Sequence, residues 1–156
     1  MIKHIWSILC RKSIVDNETN NISINDVFEQ LSVDLKVKKD DVDKLKLINI
    51  PIEFEVVSMW VKNDKTNLKG NLNVEILNPK GAVVKNFEQP LEMPETMKRL
   101  RSRLRIMGLV VEQPGDYIFK ISFKEEGQKL YKAVAEIPLE INLKKEVVDN
   151  LDIPKN

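Results

Sequence analysis

Apolar and polar residues alternate most strictly over residues 113–123, Gln113-Pro114-Gly115-Asp116-Tyr117-Ile118-Phe119-Lys120-Ile121-Ser122-Phe123. Tyr117, Phe119, Ile121 and Phe123 share one parity, and Ile118, Lys120, Ser122 and Lys124 share the other. A period of two marks a strand with one face on a core. Pro114-Gly115-Asp116 is turn chemistry and predicts a tight turn with Gly115 at positive φ. The strand holds two of the five Phe and one of the two Tyr, so it is expected at the centre of the core. Tyr117 should bury its ring and keep its hydroxyl on a backbone or polar partner at the sheet end, as in tyrosine corners.

The same period appears elsewhere. Residues 2–10 read as an opening strand, and residues 13–16 and 22–24 as a short hairpin across the polar turn 16–21. Ser23-Ile24-Asn25-Asp26 has capping-box spacing and predicts one short helical turn. Residues 33–47, rich in Lys and Asp, read as an exposed connection. Residues 50–61 form a strand with Ile52, Phe54, Val56, Ser58 and Trp60 on one face. Its other face carries Glu53, Glu55, Val57, Met59 and Val61, so it too is partly apolar. Residues 62–67 read as a turn. Residues 68–77 alternate with Leu72, Val74 and Ile76 inward, and Asn78-Pro79-Lys80-Gly81 is a reverse turn into a returning strand over 82–87. Pro90 and Pro94 make 88–95 a loop.

Residues 96–112 fit two patterns. As a helix, Met97, Leu100, Leu104 and Met107 fall at spacings of three and four. As a strand, Leu100, Ser102, Leu104, Ile106, Gly108 and Val110 face in, and Arg99, Arg101, Arg103 and Arg105 face out. The strand explains Ile106 and Val110 without a change of period and is preferred. Residues 124–128 form a Gly-containing hairpin turn. Residues 130–143 form a last strand in which Pro138 demands an edge or a bulge.

The expected fold is all-β: a two-sheet antiparallel β-sandwich, immunoglobulin-like or C2-like, of about seven or eight strands with one short helix. The domain is drawn over 1–143, with 144–156 as a charged C-terminal tail. The 25 basic and 24 acidic residues leave a net charge of +1, which gives no general pull toward nucleic acid or an anionic membrane. The single Cys10 excludes an internal disulfide and fits a reducing compartment. The apolar run of residues 2–10 is broken by His4 and stopped by Arg11 and Lys12, so it is not read as a signal peptide. The cytoplasm is the expected location.

The order of features resembles an uncharacterised family of small prokaryotic proteins with an immunoglobulin-like or C2-like sandwich. The residues that carry the resemblance are Trp6 to Cys10, Asn21 to Phe28, and Ile50-Pro51-Ile52-Glu53-Phe54-Glu55-Val56. Val74-Glu75-Ile76-Leu77-Asn78-Pro79-Lys80-Gly81 and Gln113 to Ile121 complete it. The resemblance implies a fold and no known activity.

The sharpest candidate site is the arginine ladder. On a strand, Arg99, Arg101, Arg103 and Arg105 make a one-sided basic stripe roughly 20 Å long, at about 3.3 Å per residue. It suits phosphates or an acidic partner. The competing expectation is a solvated face paired with Glu53, Glu55 or Glu75 on neighbouring strands. One His and one Cys do not make a transition-metal site. Asp40, Asp41 and Asp43 lack an ordered calcium-ligand series and are crowded by Lys38, Lys39 and Lys44. No Gly-x-Ser-x-Gly elbow or Gly-rich phosphate loop is present. No cofactor is implied. A buried cleft gathering His4 with two carboxylates would be the sign of an enzyme. The reading is a non-enzymatic interaction or structural module that self-associates with its own copies or meets a protein partner. A polyanion- or ligand-binding domain built on the arginine ladder is the alternative.

Overall fold

The computed structural model describes residues 1–43 and 46–149. Among these, nine strands form two sheets. In chain order they are β1 (Ile2–Val15), β2 (Ile22–Val27), β3 (Gln30–Lys38), β4 (Ile48–Lys62), β5 (Leu68–Leu77), β6 (Val83–Met93), β7 (Arg99–Val111), β8 (Gly115–Glu125) and β9 (Lys132–Val148). One sheet has the order β2-β1-β4-β7 and the other β3-β9-β8-β5-β6. All pairings are antiparallel except β3 with β9, which is parallel.

The core lies between the two sheets, as the alternation predicts. Tyr117, Phe119 and Ile121 of β8 are fully buried, and Phe123 nearly so. They face Phe54, Val56 and Trp60 of β4 across the interior. Phe54 and Phe119 meet edge to face at 5.8 Å between centroids, and Trp60 lies 5.7 Å from Phe123. Each such side chain taken from water stabilises the fold by about 1.5–3 kcal/mol. At the end of β8, Gly115 has φ 132. The Tyr117 hydroxyl accepts from the Glu112 N–H at 3.0 Å and donates to the Gln113 carbonyl at 3.1 Å. The turn after β5 is also as expected: Gly81 has φ 81, and the Asn78 side chain accepts from the Lys80 and Ala82 N–H groups.

Seven expectations are corrected, the first being the strand number, which is nine among the described residues where seven or eight were expected. The charged segments 33–38 and 144–148 are strands, and each is the other's partner: Asp34 stands opposite Lys144, and Lys36 opposite Glu146. Asp34, Lys36, Lys144 and Glu146 line one face, while Leu31, Val33 and Leu35 pack against the core and Lys145 stands opposite Leu35. Of the expected tail, residues 150–156 lie outside the described residues, as do Lys44 and Leu45. Ser23 and Asp26 cap no helix. Residues 22–27 pair with β1 instead, Ser23 opposite Ile14 and Asn25 opposite Lys12, because Ile22 and Ile24 keep the period of two. Residues 88–93 are strand, not loop. Pro90 is tolerated because β6 is an edge, where a missing N–H costs no ladder bond. Lys62 ends β4 rather than opening a turn. It is 1% exposed, and its ammonium donates to the carbonyls of Thr66, Met93 (3.1 Å) and Pro94 (2.9 Å).

In β7, the parity changes at Gly108, which has φ 80. Pro51 and Ile52 of β4 lie opposite that one residue. Leu109 and Val111 are therefore buried, and Val110 is not. Finally, the parallel β3–β9 pair replaces the all-antiparallel expectation. Pro138 behaves as expected: β3 joins β9 only from Glu140 onward, so β9 is an edge where Pro138 stands.

Candidate interaction surface

The arginines do face outward from β7, and the register places them in rows. Arg99, Val61 and Lys3 share one row; Arg101, Met59 and Trp6 the next. Arg103, Val57 and Ile8 follow, then Arg105, Glu55 and Cys10. The outward face thus has a middle column of Val61, Met59 and Val57 that ends on Glu55, with a basic column beside it.

Most of this ladder is used inside the chain. Arg105 pairs with Glu53 at 3.2 Å and lies 3.9 Å from Glu55. Arg103 donates to the Ser13 carbonyl at 3.3 Å. Arg101 donates to the Asn20 carbonyl at 2.7 Å and to its side-chain oxygen at 2.6 Å. Ser13 and Asn20 belong to the β1–β2 hairpin, and β4 stands between β1 and β7. The hairpin reaches those arginines only by bending across the outward face of β4. Arg11 and Lys12 are both exposed at the bend, and Ser13 is buried beyond it.

Glu55 anchors the crossing. It is 5% exposed and accepts from the Ser13 N–H at 3.0 Å and from the Ser13 hydroxyl. The hairpin tip is rigidified by Asp16, whose carboxylate accepts from the N–H groups of Thr19 and Glu18. Those bonds hold the Asp16 carboxyl below its ordinary range. Val57 is consequently fully buried although it points away from the core, and Met59 is half-buried. Glu75, the third acid considered, pairs with Lys120 on the other sheet at 3.6 Å. Among the described residues Arg99 has no ion pair or hydrogen bond from its side chain.

At one end of the sandwich an open cleft of about 1070 Å³ is lined by His4, Trp60, Phe123, Asp64, Glu125 and Lys132, among others. It brings His4 together with two carboxylates, but it is open rather than buried. Neither acid binds the imidazole. His4 Nε2 is 2.7 Å from Ser7 Oγ, which is 2.6 Å from Ser58 Oγ. The ring sits edge-on to Trp60 at 5.2 Å, and burial lowers its pKa below the ordinary 6.5. This hydrogen-bonded chain ends inside the sheet and aims no serine into the cleft's lining. Cys10 is fully buried, and burial followed by the charge of Glu55 raises its pKa, which makes it unreactive. No cluster of three or more metal-ligating side chains occurs among the described residues.

No protein-family model matches this chain, and no curated protein matches it. Among solved structures, it is similar to a family 123 glycoside hydrolase from Clostridium perfringens, studied for glycolipid glycan hydrolysis. The TM-score is 0.39 and the identity 9%, over 80% of this chain and 24% of that one. This chain therefore spans well under two thirds of that protein, and so slight a likeness carries no conclusion about fold or activity.

What sequence reasoning missed is the open edge of β3. It borders the second sheet and runs nine residues, with Gln30, Ser32, Asp34, Lys36 and Lys38 exposed and Leu31, Val33, Leu35 and Val37 turned to the core. The signal was present in that alternation, but the density of charge hid it. The other edges are blunted in ways proteins use against unwanted pairing. β6 carries Pro90, β7 carries Gly108 and a comb of like charges, and β2 has six residues ending beside Asp26 at φ 53.

Proposed function

We propose that this chain is a non-enzymatic β-sandwich interaction module that self-associates. The observation that carries the reading is the unbroken edge of β3, unpaired among the described residues, a row of main-chain donors and acceptors open to another strand. The partly apolar outward face of β4 is crossed by the β1–β2 hairpin and lends self-association no support. His4, hydrogen-bonded to Ser7, which in turn meets Ser58 and not a cleft carboxylate, supports the non-enzymatic part. An immunoglobulin-like or C2-like relationship and a cytoplasmic location belong to the same reading, the latter on the strength of the unpaired Cys10. Light scattering on the purified chain over a wide concentration range tests it. A mass that rises with concentration is expected, and a strict monomer at high concentration would remove self-association.

A second reading, a polyanion-binding face, draws support from Arg99 and Arg103, whose side chains remain exposed in one column. It predicts heparin binding that falls steeply with salt through counterion release. Binding absent at low salt, or unchanged in an Arg99→Ala, Arg103→Ala double variant, would eliminate it.

A further inference from the structure

The edge of β3 has a phase, and the phase selects a partner. The Glu140 N–H donates to the Glu29 carbonyl, and Gln30 stands opposite Glu140. In a parallel ladder, alternate residues of one strand bond to the neighbour. The odd-numbered residues of β3 are thus turned to β9. Gln30, Ser32, Asp34, Lys36 and Lys38 direct their N–H and C=O groups away from it, into the open edge. Their side chains all lie on the exposed face.

We propose that the partner for this edge is a second copy of the chain, paired antiparallel through β3 about a two-fold axis at Leu35. Self-association as such rests on the function proposed above; the strand, the axis and the register are additional. Only even-numbered residues can form the hydrogen-bonded pairs. Among registers that satisfy this, charge decides. An axis at Asp34 sets Asp34 against its own copy, and an axis at Lys36 sets Lys36 against its own copy; directly opposed like charges destabilise an antiparallel pair. An axis at Leu35 sets Asp34 against the copy's Lys36, twice, and Ser32 against the copy's Lys38.

The neighbouring strand extends the match. Because Lys144 stands opposite Asp34 and Glu146 opposite Lys36, the row across the interface reads Lys144, Asp34, then the copy's Lys36 and Glu146. Its sign alternates over four strands. On the inner side, Leu35 meets its copy as a close, non-hydrogen-bonded pair, and Val33 meets the copy's Val37. The interface is isologous, so it closes as a dimer and does not propagate into fibres. It also removes the one long edge among the described strands that no proline, glycine or bulge protects.

Two measurements test the proposal on the full chain. In sedimentation velocity, Asp34→Lys and Lys36→Asp should each weaken association at least about tenfold, the size of a modest like-charge penalty. The exchange of both residues together with Lys144→Glu and Glu146→Lys, which restores the alternating row, should recover most of the affinity. Separately, Leu35→Cys should give a covalent dimer on mild oxidation. Non-hydrogen-bonded antiparallel pairs bring Cα atoms to about 4.5 Å, within disulfide range. Val33→Cys should not, since its copy lies four residues out of register. Cys10 is fully buried and does not compete. A wild-type dimer that ignores the charge variants and gives no Leu35→Cys cross-link would overturn the β3 interface while leaving self-association standing. A monomer at every concentration would overturn both.

Discussion

Phe119→Ala tests the central assignment of the fold, the inward face of β8. Phe119 is fully buried, stands between Ile76 of β5 and Ile137 of β9, and meets Phe54 of the opposite sheet edge to face. Truncation removes the ring's transfer energy and leaves a cavity that close-packed neighbours fill only in part. Such changes cost about 3–5 kcal/mol. At about 2–4 °C per kcal/mol for a chain of this size, the melting temperature should fall by roughly 6–20 °C. Lys120→Ala is the control one residue on. Its side chain is 35% exposed and pairs with Glu75 at 3.6 Å; partly exposed pairs are worth little, so the loss should stay within about 0.5 kcal/mol. Urea melts monitored by circular dichroism measure both. If Phe119→Ala does not fold, Ile121→Val, also fully buried, should cost about 0.5–1.5 kcal/mol and remain readable. A Lys120→Ala variant more damaging than Phe119→Ala or Ile121→Val would show the inward face assigned backwards, and the register with it.

Tyr117→Phe should lose about 1–3 kcal/mol in the same urea assay, because the Glu112 N–H and Gln113 carbonyl lose their partner at the sheet end; an unchanged midpoint would refute the corner's role. His4 should make stability pH-dependent. Its folded pKa is lowered by burial, so below 6.5 the unfolded chain takes up a proton that the folded one resists, and stability falls as pH drops from above 6.5 toward the lowered value. His4→Gln, with Lys3, Lys132, Asp64 and Glu125 still around the cleft, should flatten the urea midpoint across that window; an identical pH profile would count against it. The Arg101→Ala, Arg103→Ala double variant should free the β1–β2 hairpin from the face of β4, which amide exchange reads as faster exchange over residues 13–21. Unaltered exchange there would mean that Glu55 alone holds the hairpin.

Where a segment's period of two is undisturbed, the sequence by itself settled strand, face and turn. Residues 68–77 and 115–125 are of this kind, and so are Asn78-Pro79-Lys80-Gly81 and the Gly115 turn, because a backbone that needs positive φ writes its demand into one residue. Tertiary structure decided the remainder, wherever a local signal competed with a distant partner. Pro90 is a breaker in isolation and an edge residue beside β5. Ser23 and Asp26 match a helix cap, yet pairing with β1 prevails.

Residues 33–38 and 144–148 look like charged linkers until each is set against the other, more than a hundred positions away, where Asp34 meets Lys144, Lys36 meets Glu146, and Val33 and Leu35 pack against the core. The arginines show the same division. Their one-sidedness was legible, since alternation alone puts residues 99, 101, 103 and 105 on one face. What they hold was not. Whether a guanidinium meets solvent, a phosphate or the Asn20 carbonyl depends on a hairpin bending across β4, and no pattern within β7 records that bend. Periodicity determines which way a side chain points, because it is a property of the strand's own backbone. Pairing and covering determine what it meets, because those free energies belong to two distant segments at once.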